Sequence, residues 1–126
     1  MAAIHSASRS HSGADAIGVT DQQLLERFVA DQDEIAFTRL VERHGRTIWG
    51  VCRRVLHHEQ DAEDAFQAVF VVLARRASSI RQREAVGSWL YSVAYRIATR
   101  ARRNVARRKD VEKKLKAAEI SPARLN

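Results

Sequence analysis

Cysteine, proline and glycine are scarce in this chain, and each scarcity excludes something. A single Cys52 among 126 residues cannot close an intramolecular disulfide, which fits a reducing compartment. Five glycines scattered singly cannot build a phosphate-cradling loop, and no G-x-S-x-G, Walker or dinucleotide-binding pattern occurs. Nothing argues for catalysis or calls for a cofactor. The one proline is Pro122, so the stretch from about 85 to 109 has no proline, and no glycine beyond Gly87. Long apolar runs are also missing: the longest, Ala68 to Ala74, falls far short of the roughly 20 residues that cross a bilayer. Residues 1–18 lack the continuous apolar core of a secretory signal, so the expected compartment is the cytoplasm and no membrane partner is expected. Alternating strand patterns, hairpin dipeptides and internal repeats are absent too, which leaves an all-α class.

What is present is ordinary globular composition for one domain, 45% hydrophobic and 29% charged, with the charge unevenly spread. Residues 75–110 carry eleven cations against only Glu84 and Asp110, a local excess of +9. The rest of the chain holds eleven cations and thirteen acids, a balance of −2, so the whole net charge of +7 belongs to this one stretch. Ten of the eleven cations are arginine. Guanidinium forks bind phosphate in bidentate fashion and stack on flat rings, so the enrichment suits nucleic acid; a solvated charged helix or a contact with an acidic protein are the alternatives.

Residues 1–19, rich in Ser, Ala, Gly and His, read as a flexible leader. Thr20 with Gln23 makes a capping-box pattern, and Leu24, Leu25, Phe28 and Val29 then predict a short helix over about 21–30. Asp31 to Asp33 caps a second helix whose Phe37, Leu40, Val41 and His44 share one face and which ends near Gly45. A third segment follows, with Ile48, Trp49, Cys52, Val55 and Leu56 on one side, either separate or continuous with the second through a bend. Asp61 and Asp64 mark the start of a fourth helix over about 61–76, with a core stripe of Ala62, Ala65, Phe66, Val69, Phe70 and Leu73 and a polar, acidic face of Asp61, Glu63, Asp64 and Gln67. A polar connection leads to a last long helix over about 85–109, dominated by Ala and Arg. The expected architecture is a compact bundle of about four to five helices with a long basic C-terminal helix.

On that last helix Arg96, Arg100, Arg103 and Arg107 fall within a sector about 60° wide, with Trp89 on nearly the same azimuth. Leu90, Val93, Ala94, Ile97 and Ala101 lie roughly 110° away, so one side is buried and the other basic. The stripe covers about 16 Å of helix, enough to reach several successive phosphates, contacts that position a protein without reading sequence. The connection from Ser78 to Ser88, with its short polar side chains, Arg81, Gln82 and Arg83, could hold an unstacked base by stacking and edge hydrogen bonds. Trp89 is either part of that site or a core residue, and Tyr91 and Tyr95 read as packing or boundary residues. His57, His58, Glu59 and Asp61 look like metal ligands at first, but the His-Glu-x-x-His spacing fails at Ala62, so no metal is expected. Cys52, on an apolar stripe, reads as a packed thiol.

Three motifs, taken in order and spacing, resemble region 2 of an extracytoplasmic-function (ECF) sigma factor of bacterial RNA polymerase. They are Ala36-Phe37 with Leu40-Val41 and His44; Asp61-Ala62-Glu63-Asp64-Ala65-Phe66-Gln67-Ala68-Val69-Phe70; and Gly87-Ser88-Trp89-Leu90-Tyr91-Ser92-Val93-Ala94. The resemblance covers about Thr20 to Lys109, placing a region 2-like domain at 20–109 and the start of an interdomain linker or tail at 110–126. It implies a helical bundle whose D-A-E-D-x-x-Q helix docks on the clamp-helix coiled coil of the polymerase's largest subunit, with Asp61, Asp64 and Gln67 as the contact. It also implies that the last helix and the loop before it engage the minus-ten promoter element, open it and hold a flipped base. That work falls on Ser79, Arg81, Arg83, Ser88 and Trp89, and on Arg96, Arg100, Arg103 and Arg107.

Two departures from the family pattern stand out. Many members carry Arg-Asn, then an Asp four residues after the Asn, where this chain has Tyr95-Arg96 and Arg100. Arg96 in place of a base-reading Asn weakens any inference about promoter sequence and strengthens phosphate binding. The family's usual helix-turn-helix region has no room in Asp110 to Asn126, so the chain is either an excised domain or a one-domain relative. Many relatives are also held by an anti-sigma protein, which no residue here identifies. The expected function is a transcription-initiation factor domain; the alternatives are a standalone basic nucleic-acid-binding module and a helical protein-interaction adaptor.

Overall fold

The computed structural model describes residues 18–120. Among these residues four helices follow one another: α1 (Asp21–Asp31), α2 (Glu34–Val55), α3 (Glu59–Arg76) and α4 (Val86–Ile120), with two short 3-10 turns, Ala77–Ser79 and Arg83–Ala85, between the last two. Among the described residues there is no strand, and no helix is long and apolar enough to cross a membrane. The expected leader lies outside the described residues except at its end, as does the tail from 121 to 126.

Local chemistry sets the helix ends. Thr20 and Gln23 close the capping box: the Gln23 amide donates to Thr20 Oγ1 at 3.1 Å, and the Thr20 amide donates to Gln23 Oε1 at 2.9 Å. Gln32, left-handed at φ 54°, ends α1 by donating its amide to the Phe28 carbonyl at 2.9 Å. Asp33 then caps α2, its Oδ1 accepting from the amides of Ile35 and Ala36.

Two expectations about helix length are corrected. Helix α2 does not end near Gly45; it runs for 22 residues without a break. A helical glycine costs about 1 kcal/mol relative to alanine. Here Leu40 on one side of it and Ile48, Val51 and Cys52 on the other are all buried, and packing over the whole face outweighs that local cost. Helix α4 likewise does not stop at 109 but continues to Ile120, because Ala, Lys, Glu and Leu keep the sequence helix-favouring.

The core is one cluster drawn from every helix. Leu24, Leu25 and Phe28 of α1 meet Leu40 and Ile48 of α2, Val69 and Leu73 of α3, and Val86, Leu90 and Ala94 of α4, all buried. Helix α4 packs on both α2 and α3, and α1 packs on α2 and the two 3-10 turns. Aromatic edges join the layers: Trp49 meets Phe66 at 5.8 Å in a T-shaped pair, and Phe28 meets Phe37 at 4.9 Å. Cys52 is wholly buried, and that burial pushes its thiol pKa up, which keeps it neutral and packed.

Candidate functional site

The acid-bearing helix α3 starts at Glu59, two residues before the expected position, with His58 at the N-cap and no side chain closing the cap. Asp61 therefore sits inside the first turn, half-buried, while Asp64 and Gln67 are exposed on the following turns. Acids in a first turn interact favourably with the positive end of the helix dipole, so α3 gains from them without a capping bond. Gln60 Nε2 donates to Asp64 Oδ1 at 3.1 Å, which orients one carboxylate oxygen and leaves the group exposed.

All four arginines of the predicted stripe, Arg96, Arg100, Arg103 and Arg107, are exposed. Among the described residues none of them forms an ion pair with a carboxylate. Their charge is not spent within the molecule, so it remains available to an anion from outside. The two charged faces are neighbours. A groove of 580 Å³ runs between α3 and α4, with Asp61 and Asp64 on one wall, Asn104, Arg107 and Arg108 on the other, and Ala65, Ala68, Ile97 and Ala101 along the floor. Small residues on both helices let the two approach and leave the groove open.

The connection before α4 is anchored by Ile80, which is buried, and by local hydrogen bonds. Ser79 Oγ donates to the Arg76 carbonyl at 2.8 Å, and Arg83 Nε to the Ile80 carbonyl at 3.4 Å. Ser79, Arg81 and Ser88 are exposed, whereas Arg83 and Trp89 are half-buried, Trp89 packing against the core. The structure thus brings a polar loop edge and an arginine row onto one helix and its approach, and turns most of the Trp89 ring inward.

Two features escaped the sequence reading. Tyr91 and Tyr95, expected to pack or lie at a boundary, stand out in solvent at 45% and 55% exposure. Their i, i+4 spacing and their place between the buried sector and Ser88 were visible in the sequence, but an aromatic residue beside a core stripe is more often buried. His44, expected on an apolar face, instead places Nε2 2.8 Å from Asp21 Oδ2, and Arg43 holds the same carboxylate at 3.2 Å while also donating to the Val19 carbonyl. The ring lies against the start of α4, where a Cβ on Gly87 would come 3.0 Å from His44 Cε1. A side chain at position 87 would have to push aside a ring that Asp21 holds, so glycine suits this close approach, and the three residues tie α1, α2 and α4 together.

Fold and charge together define the class: a small all-helical module in which an acid-edged helix and an arginine-bearing helix border one groove. Residues 40–108 match the Sigma-70 region 2 family, more than half of the chain, and the protein belongs to that family. It is similar to the RNA polymerase sigma-H factor of Pseudomonas aeruginosa, 37% identical over 78 residues that make up 62% of this chain and 40% of that protein. It is also similar to the ECF RNA polymerase sigma-E factor of Haemophilus influenzae, 35% identical over 80 residues, 64% of this chain and 41% of the relative. The expected identity as region 2 of an ECF sigma factor stands on these matches, and the chain spans about two fifths of the length of these curated relatives. No solved structure matches it significantly.

Proposed function

We propose that this chain acts in the cytoplasm as the part of a sigma factor that holds core RNA polymerase through α3 and promoter DNA through α4 and the loop before it. It is a binding module, not an enzyme. Asp61, Asp64 and Gln67 supply a polar, acid-edged docking face for the clamp helices of the largest subunit. Arg96, Arg100, Arg103 and Arg107 hold successive phosphates of the minus-ten element. Ser79, Arg81, Arg83 and Ser88, beside Trp89, receive an unstacked base as the duplex opens. Phosphate contacts fix register on the DNA, and sequence is read by the loop. No residue identifies an inhibitory anti-sigma partner.

The observation that carries this reading is the row of four exposed arginines, without ion-pair partners among the described residues, whose last member Arg107 lies across a groove from Asp61 and Asp64 in a chain of the region 2 family. Capture of core polymerase by the immobilised chain tests it. The wild-type chain retains the enzyme, and Asp64→Arg or Gln67→Ala loses it. The double variant Arg100→Ala with Arg103→Ala keeps polymerase and weakens DNA binding across all sequences, with a shallower dependence on salt. DNA binding without polymerase capture would instead make the chain a freestanding basic module, and no nucleic-acid binding at low salt would leave only an adaptor for an acidic protein.

A further inference from the structure

The hand-over from α3 to the polar loop is basic throughout. Arg75 and Arg76 close the helix, Arg81 and Arg83 follow the Ala77–Ser79 turn, and no acid intervenes before Glu84. Ser78 sits inside this run, and it is exposed together with Arg75, Arg76 and Arg81. Its neighbour Ser79 already spends its hydroxyl on the Arg76 carbonyl at 2.8 Å, whereas Ser78 Oγ has no hydrogen-bond partner among the described residues. Ser88 and Ser92, also exposed, lie within α4, and neither has a cation in the three residues before it. The turn that carries Ser78 is slight. One backbone bond, from the Ile80 amide to the Ala77 carbonyl at 3.2 Å, closes it, so it opens locally when Ala77 and Ile80 leave the core.

We propose that Ser78 is a phosphorylation site for an arginine-directed serine kinase, and that its phosphate switches off DNA binding by the loop before α4. The second half rests on the promoter-binding reading above; the first does not. Arg75 and Arg76, just before the acceptor, are the charge pattern that an acidic substrate cleft selects. In the transfer Ser78 Oγ attacks the γ-phosphorus of the kinase's Mg-ATP, its proton passes to a carboxylate of the kinase, and the bond to the bridging oxygen breaks to release ADP. The phosphoserine carries about −1.5 to −2 charge and three acceptor oxygens at pH 7. Arg75, Arg76, Arg81 and Arg83 all lie within five residues of it, so guanidinium forks that would hold a DNA phosphate hold the serine phosphate instead. The charge of residues 75–83 falls from +4 to about +2, and an approaching strand meets an anion among the cations. One effect opposes this pairing. The phosphate lies just past the negative end of α3, but that end amounts to about half a charge against whole charges on the arginines. Asp64 stands about 18 Å of helix from Arg76, so the polymerase-docking face is untouched.

The test incubates the full chain with Mg-ATP and the catalytic subunit of a cyclic-AMP-dependent protein kinase, an arginine-directed enzyme, and maps the product by mass spectrometry. One phosphate is expected, on Ser78, and none in Ser78→Ala. No incorporation, or incorporation at Ser79, Ser88 or Ser92 in place of Ser78, overturns the site. Binding of a fluorescent oligonucleotide, single-stranded and duplex, is then measured over a range of salt concentrations. The phosphorylated chain binds on the order of tenfold more weakly and with a shallower salt slope, phosphatase restores it, and kinase treatment leaves Ser78→Ala as it was. Capture of core polymerase and thermal unfolding stay near those of the unmodified chain. Equal DNA binding with and without the phosphate overturns the switch, and so does a phosphorylated chain that has lost its fold or its hold on polymerase. If the unmodified chain binds no DNA, the promoter-binding reading falls and the switch with it, while the map still decides the site.

Discussion

The two halves of α4 are one continuous helix made for different reasons. From Val86 to Ala98 its inner face buries Val86, Leu90, Val93, Ala94 and Ala98 against α2 and α3. Beyond Arg102 nearly every residue is exposed, including Val111 at 50% and Leu115 at 60%. The near half is helical because burying its apolar face drives it. The far half is helical because its residues favour helix and because pairs such as Asp110 with Lys114, 3.2 Å apart, add a little at each turn. Packing fixes the arginine row where it meets the bundle, and propensity with a few surface pairs carries the helix outward.

The sharpest way to test that contrast is to remove equivalent side chains from the two halves. Leu90→Ala is expected to cost about 2–5 kcal/mol and lower the melting temperature by many degrees, because it opens a cavity at a wholly buried site. Leu115→Ala is expected to change stability by less than about 0.5 kcal/mol, since nothing packs on that side chain. A comparable loss at Leu115 would show that the far half is covered in solution. At the junction, Gly87→Ala gains up to about 1 kcal/mol of helix propensity but presses on a His44 ring that Asp21 holds in place. The expected net result is destabilisation, relieved in the double variant with His44→Ala, and a calorimetric double-mutant cycle reads the coupling. The smallest effect belongs to Asp110→Asn, which removes an exposed pair worth about 0.3–0.5 kcal/mol; circular dichroism should show a slight loss of helicity that vanishes at high salt.

How much of this was legible in the sequence follows the same division. Where an apolar stripe and a cap coincide, as at Thr20, Gln23, Leu24 and Phe28, the helix and its start could be read directly. Gly45 misled because a glycine near the end of a periodic run resembles a terminus, and only the tertiary contacts along α2 show that it is interior. The last turns of α4, from Asp110 on, read as linker or tail because amphipathicity fades after Ala101, although propensity does not. The arginine row was legible from spacing alone, since charged side chains on a core helix must face outward. The pairing of His44 with Asp21 was not, because 23 residues of chain separate partners that only the fold brings together.

The arginine row also has a mechanical character. Its guanidiniums are teeth on a stiff comb, with axial intervals of about 4.5–6 Å dictated by the backbone. The helix packs on the core only as far as Ala101, so Arg103 and Arg107 stand on a cantilever. A load on those last teeth is carried back to the bundle by backbone stiffness.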